Sequence, residues 1–140
     1  MRRIDVPRHQ LIYKLLTRRP EAISEVSVAL WEKLAAQLIS IIGEGGFDSL
    51  YARSLHLCSA RFPWLIAEQP SPQAQSRFLD LSAGFVEREV DAATDASVAL
   101  LSTFVDILAM LIGELLTSSI LQFAWGDEVL DTAAKDSNND

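Results

Sequence analysis

Cysteine, histidine, proline and glycine are all scarce in this chain of 140 residues, with one, two, five and six residues respectively. The single cysteine, Cys58, excludes an intrachain disulfide and any zinc site built on several cysteines. No proline interrupts a long apolar run, which favours helices over a turn-rich β fold. The sequence also lacks a glycine-rich phosphate loop and a nucleophile elbow, so we expect a protein that is not an enzyme.

Positive charge is scarce outside the N-terminus. Residues 1–19 carry six basic side chains against Asp5 alone, whereas the rest of the chain carries six basic and 18 acidic ones. Because an acidic surface repels phosphate, we expect no nucleic-acid partner for the body of the protein. The basic arm has two interpretations: it solvates a short helix or folds back on the acidic body, or it contacts nucleic acid or an acidic membrane surface. No apolar segment follows its arginines as in a secretory signal, so we expect a cytoplasmic protein.

Apolar residues, by contrast, are abundant and recur every three or four positions. They make up 49% of the chain, and their spacing is typical of amphipathic helices. The predicted helices cover residues 8–17, 20–42, 47–61, 71–93 and 94–125. We therefore predict an all-α fold, a four- or five-helix bundle. The predicted organisation is a basic arm with a short helix (1–19), the bundle (20–126) and an acidic disordered tail (127–140).

Glycine supplies two of the predicted helix ends. Gly43-Glu44-Gly45-Gly46 has three glycines in four residues and predicts the end of the second helix. Gly126 predicts the end of the last helix. At the start of the fourth helix, Ser71-Pro72 combines an N-capping residue with a first-turn proline.

The last predicted helix contains a stretch, Val98–Leu116, of about the length that spans a bilayer. Asp106 lies in its middle and Glu114 near its end. A charged residue at mid-membrane costs about 2.5–3.5 kcal/mol on insertion scales, which argues against a membrane span. We interpret this stretch as a helix buried nearly all round, at the centre of a bundle or across a subunit interface.

Two segments seventy positions apart resemble each other. Residues 38–50 and 108–120 align without a gap and share five identities, including the triplet Ile-Gly-Glu. The resemblance is either chance or the trace of a duplication, and a duplication predicts two pseudo-repeated helical hairpins packed face to face.

Glu44 and Glu114, the acids of the shared triplet, follow a glycine that allows close approach of another backbone. A carboxylate at such a crossing needs a partner, and the candidates are Arg53, Arg61 and Arg88. One hypothesis is a salt bridge that fixes the packing, and the other is a carboxylate pair that binds a metal or does acid–base chemistry. Di-iron bundles also need Glu-x-x-His motifs, which neither histidine of this chain provides. We therefore favour the salt bridge and predict no metal site.

His56 and Cys58 are the remaining candidates for chemistry. His56 lies on a polar face of its predicted helix, as the histidine of phosphotransfer domains does. Cys58 and Ser59 stand where those domains typically have lysine and glycine, so we interpret His56 as a solvated surface residue. Cys58 falls on the apolar face and is interpreted as a small core residue.

Two function hypotheses follow. The first is a non-enzymatic interaction or oligomerisation module, a homodimer or a binder of another protein, set in bacterial signalling or regulation. It rests on the second and last helices, whose apolar faces exceed what one small bundle buries. The second is a small-ligand sensor with an apolar pocket between helices. The candidate ligand-binding residues are Trp31, Phe78, Phe85 and Phe104, with Glu44, Glu114 and Arg53 fixing orientation.

Overall fold

The computed structural model describes residues 8–65 and 77–138. These residues form five α-helices and two 3-10 turns, and no strand occurs among them, which confirms the all-α bundle. The helices are α1 (Arg8–Thr17), α2 (Ile23–Cys58), α3 (Arg77–Val86), α4 (Val90–Ile112) and α5 (Glu114–Asn138), and the turns are Pro20–Ala22 and Pro63–Leu65.

The break in α2 is a one-residue hinge. Only Gly43, with φ 80° and ψ 165°, leaves the helical conformation, and the chain is helical again from Glu44. The predicted stop across all four residues of Gly43-Glu44-Gly45-Gly46 was therefore wrong in extent, because Gly45 and Gly46 are helical. A glycine weakens a helix by about 1 kcal/mol relative to alanine, which packing readily offsets.

Gly113 forms the equivalent hinge between α4 and α5, with φ 96° and ψ 160°. Its N–H donates to the carbonyl of Ala109 at 2.8 Å, and its own carbonyl accepts from Thr117 N–H at 3.1 Å. It therefore ends one helix and begins the next. Glu114 then stands in the first turn of α5, where a carboxylate is favoured by the helix dipole.

The structure contains an internal repeat. We call α1 and α2 the N-terminal repeat and α3 to α5 the C-terminal repeat. The order of buried and exposed positions in residues 21–30 recurs at 91–100, and that of residues 41–50 recurs at 111–120. The tetrapeptide Ser-Val-Ala-Leu also occurs at 27–30 and again at 97–100. The seventy-residue resemblance therefore reflects a repeated architecture.

The two repeats are interleaved. The short helix α1 packs mainly against α4 of the other repeat, and α3 packs mainly against α2. The long helices α2 and α4 also pack against each other, and α2 contacts α5. Each repeat thus covers the long helix of the other, and this exchange produces one continuous core.

The prediction of one last helix over residues 94–125 was wrong, because Gly113 divides it into α4 and α5. Further differences from the predicted helices concern where they begin and end. The fourth predicted helix divides at Glu87–Glu89, and α4 begins at Val90 rather than at Thr94 or Asp95. The last helix continues through Gly126 to Asn138, beyond its predicted end and into the predicted disordered tail. A single glycine costs a helix only about 1 kcal/mol relative to alanine, so it does not by itself end one. The predicted start at Ser71-Pro72 lies outside the described residues.

Among the described residues, two helices are long and apolar enough to cross a membrane by length and composition. They are the segment Pro20–Cys58 and α4, whose most apolar windows are 39% and 50% buried within the protein. Core helices of soluble proteins meet the same criterion, so this finding is weak evidence for a membrane span.

Two tryptophans are buried, but they differ in whether the indole N–H donates a hydrogen bond. Trp125 Nε1 donates to the carbonyl of Leu30 at 3.0 Å, whereas Trp31 Nε1 has no hydrogen-bond partner in the described part of the chain. We expect Trp125→Phe to reduce the free energy of unfolding by about 1 kcal/mol more than Trp31→Phe, because only Trp125 loses a hydrogen bond. Urea denaturation of the two variants measures the difference, and equal losses would contradict it.

Candidate functional site

The structure brings three of the four predicted aromatic residues together. Trp31, Phe78 and Phe104 belong to one cluster with Phe47 and Tyr51. Within this cluster, ring centroids in contact lie 5.0 to 6.4 Å apart, and Trp31 meets Phe104 edge to face. The rings contact one another directly, so these side chains form part of the hydrophobic core.

The fourth predicted aromatic residue lies elsewhere. Phe85 is buried against Trp64, with ring centroids 5.9 Å apart. The guanidinium of Arg88 covers the other ring of that pair, 4.7 Å from the centroid of Trp64. Arg53 is exposed on α2, so the predicted orienting residues do not converge on the aromatic cluster.

The acids of the Ile-Gly-Glu triplets are both exposed. Glu114 pairs with Arg8 of α1, rather than with any of the three arginines predicted from the sequence. The same guanidinium donates from Nη2 to Asp106 Oδ1 at 3.0 Å, and His9 Nε2 lies 2.9 Å from Asp106 Oδ2. At Arg8, the basic arm thus folds back on the acidic body, as one interpretation of its charge proposed.

Arg8 keeps its charge at this junction. Partial burial favours the neutral form, but the hydrogen bond to Asp106 and the negative charge of Glu114 outweigh it and raise the pKa of Arg8. The permanent cation ties α1 to the end of α4 and the start of α5.

Cys58 lies in the core rather than in a reactive setting. Cys58 is buried, its thiol donates to Thr103 Oγ1 at 3.5 Å, and burial raises its pKa. A protonated, covered thiol is a poor nucleophile. No group of three or more histidine, cysteine, aspartate or glutamate side chains that could hold a metal occurs in the described part of the chain.

Five large apolar side chains are exposed on the two helices that meet at the Gly113 hinge. They are between 44% and 85% exposed: Met110, Leu111, Leu115, Leu116 and Phe123. We call this group the apolar corner. On α5, Leu115, Leu116 and Phe123 fall within an arc of about 100°, so they share one face. Large exposed apolar side chains concentrated on one part of the surface mark interaction sites in soluble proteins.

The N-terminal repeat shows that the fold does not require the apolar corner. Its equivalent positions are exposed as well, and they carry Ser40, Ile41, Gly45, Gly46 and Arg53. Only Ile41 is apolar with a side chain of comparable size. The same hinge and the same exposure are thus formed with mostly small or charged residues, so the C-terminal repeat holds its exposed leucines, methionine and phenylalanine for another reason.

The sequence analysis missed the apolar corner, since apolar spacing does not distinguish a buried leucine from an exposed one. The signal was present in the repeat. Gly45 and Gly46 align with Leu115 and Leu116, and a large residue that replaces a glycine at an exposed position is not explained by the fold.

Comparisons with known proteins give no assignment. No protein-family model matches the chain, and no curated protein or solved structure shows significant similarity to it. Function is therefore argued from the geometry alone.

Proposed function

We propose that the protein is a non-enzymatic interaction module that forms a homodimer through the apolar corner. The observation that carries this proposal is the contrast between the repeats. They share the hinge and the exposure pattern, yet the C-terminal repeat is apolar where the N-terminal repeat is mostly not.

The size of the apolar corner suits a dimer. At their observed exposures, its five side chains offer on the order of 600 Å² of accessible surface, most of the roughly 800 Å² that each partner contributes to a standard interface. In a two-fold dimer the same patch appears on both subunits, so one apolar surface is sufficient for both.

The charge distribution favours a second copy of the chain as the partner that covers the apolar corner. The chain carries a net charge of −7, so two copies repel each other over most of their surface. Beside the apolar corner on α5, the exposed side chains are uncharged: Ser118, Ser119 and Gln122. Glu114, in the first turn of α5, is paired with Arg8. Two copies therefore approach with least repulsion at this face.

A membrane surface is the alternative partner for the apolar corner. Anionic lipid headgroups attract basic segments and repel acidic ones, and the net charge of this chain is negative. The two long apolar helices also bury 39% and 50% of their most apolar windows inside the protein, as core helices do.

Sedimentation velocity over a range of concentrations tests the proposal. We expect the wild-type chain to sediment as a dimer at tens of micromolar and to dissociate on dilution. The double variant Met110→Ser/Phe123→Arg, which takes its residues from the equivalent positions of the N-terminal repeat, is expected to remain monomeric with unchanged helical content. The like-charged arginines and the lost apolar area account for this result.

Val86→Ser is the matched control, because Val86 is 71% exposed on α3 and is not part of the apolar corner. It should leave the dimer intact. A wild-type chain that stays monomeric, or a double variant that still dimerises, would overturn the proposal. So would a monomeric wild-type chain that co-sediments with vesicles of phosphatidylcholine and phosphatidylglycerol, which would assign the apolar corner to a membrane.

A further inference from the structure

The chain on either side of Gly113 has little attachment to the core. We call residues 110–116 the hinge segment, and all of them except Ile112 are exposed. Ile112 packs against the core only in part, whereas Ala109 before the segment and Thr117 after it are buried. Packing therefore anchors the hinge segment at its two ends and holds little of it in between. Segments with so few buried contacts are the ones that open locally.

One side chain of α1 fastens this segment from outside. Arg8 donates from Nη1 to Glu114, which lies in the hinge segment, and from Nη2 to Asp106 Oδ1 at 3.0 Å. Asp106 lies on α4, one helical turn before Met110. The Arg8 side chain is only 24% exposed, so it lies against the protein. Single exposed ion pairs contribute little, but one guanidinium shared between acids of two helices forms a network that contributes more.

The N-terminal repeat shows no such attachment within the described ranges. Glu44 occupies the position of Glu114, and it forms no ion pair with any described residue. Asp106 corresponds to Ala36, which carries no charge. The two repeats thus share the hinge and its exposure, and the pair of acids bound by Arg8 belongs to the repeat that carries the apolar corner.

The hinge segment also contains most of the apolar corner. Four of its five residues lie there: Met110, Leu111, Leu115 and Leu116. A surface that is already ordered before association loses less conformational entropy when it binds. Whatever holds the hinge segment in place therefore increases the affinity of the apolar corner for its partner.

We infer that Arg8 is a positioning residue for the dimer interface. By binding Glu114 and Asp106 together, it keeps the hinge segment in the conformation that a second copy of the chain binds. The inference rests on the proposed dimer and adds to it that α1, through one arginine, sets the strength of association. It also states a property of the monomer, since Arg8 holds the hinge segment whether or not a partner is bound.

Sedimentation velocity of charge-neutral variants of the full chain tests the effect on the dimer. We expect Arg8→Gln and Glu114→Gln each to raise the dimer dissociation constant about fivefold. The double variant should be no weaker than Arg8→Gln, because the contact is already lost. Net charge alone predicts the opposite for Glu114→Gln, since it removes a negative charge from each of two acidic copies. Glu44→Gln is the matched control: it changes the net charge equally and should not weaken the dimer.

Amide hydrogen exchange tests the monomer separately. The N–H groups of Gly113 and Thr117 donate to backbone carbonyls across the hinge, at 2.8 and 3.1 Å. When Arg8→Gln is added to the dimer-deficient double variant described above, exchange of these two amides should become about fivefold faster. Exchange of a core amide such as that of Leu100 should not change, which distinguishes a loosened hinge from a general loss of stability.

Two results would overturn the inference: unchanged exchange at both hinge amides in Arg8→Gln, or a Glu114→Gln chain that dimerises at least as tightly as the wild type. A wild-type chain that stays monomeric would instead overturn the proposed dimer, and with it the effect of Arg8 on association. Faster exchange at the hinge amides would in that case still support the role of Arg8 in holding the hinge segment.

Discussion

Phe104→Ala is expected to lower the free energy of unfolding by about 3–5 kcal/mol, because the substitution removes a ring from the centre of the core. Phe104 is fully buried and contacts Trp31 and Phe47, with ring centroids 5.0 and 5.3 Å apart. The loss combines the burial of the ring, its edge-to-face contact with Trp31 and the cavity that remains. It is a large part of the roughly 5–15 kcal/mol by which most domains are stable. Urea denaturation followed by circular dichroism measures it.

Phe123→Ala provides the comparison within the same residue type. Phe123 is 77% exposed, so its removal should change the stability of the monomer by less than about 0.5 kcal/mol. The measurement is made at a concentration low enough to keep both variants monomeric. Similar losses at the two positions would contradict the assignment of one phenylalanine to the core and the other to an interaction surface.

The helical class of the fold was predictable because apolar spacing records which side of a helix is buried. The predicted end of the first helix, at Thr17, agrees with the end of α1. The end of α5 was not predictable in the same way. Gly126 costs a helix about 1 kcal/mol, and whether that ends the helix depends on what lies around it. Local sequence does not contain that information.

Contacts between residues far apart in the sequence were the second feature that the sequence could not predict. Glu114 was expected to pair with an arginine of the body, and it pairs with Arg8, which is 106 residues away. That contact exists because α1 crosses over to α4 of the other repeat. The sequence shows the charge imbalance of the arm, but only the topology decides which acids the arm meets.

The candidate sites were the least predictable part. The aromatic residues proposed as pocket lining were recognised correctly as apolar and helical, and the structure packs three of them against one another. The apolar corner, which carries the proposed function, is defined by the exposure of its side chains. A single sequence does not show which side chains are exposed. A comparison of the two repeats partly compensates, because it shows where large apolar residues replace small ones.

The repeat separates what the fold needs from what it does not. Several positions that agree between the two halves are buried or are hinges, such as Ser27 with Ser97 and Gly43 with Gly113. Positions that differ between the two halves, and are exposed in both, are not fixed by the requirements of the fold. Four of the five residues of the apolar corner fall at such positions, Leu111 being matched by Ile41. That is why we place function in the C-terminal repeat.

Gly113→Ala is expected to destabilise the protein by about 1–3 kcal/mol, and Gly43→Ala by a similar amount, through the backbone alone. Both glycines have φ of 80° or more with ψ near 160°, a conformation that is essentially restricted to glycine. A Cβ would meet no atom within 4 Å at either position, so steric overlap with neighbours does not contribute. Gly45 is equally open but helical, so Gly45→Ala should instead stabilise the protein by about 0.4–1 kcal/mol. Opposite signs in urea denaturation would show that the hinges hold this backbone conformation in solution. A stabilising Gly113→Ala would show that α4 and α5 join there as one continuous helix, and the apolar corner would then be rearranged.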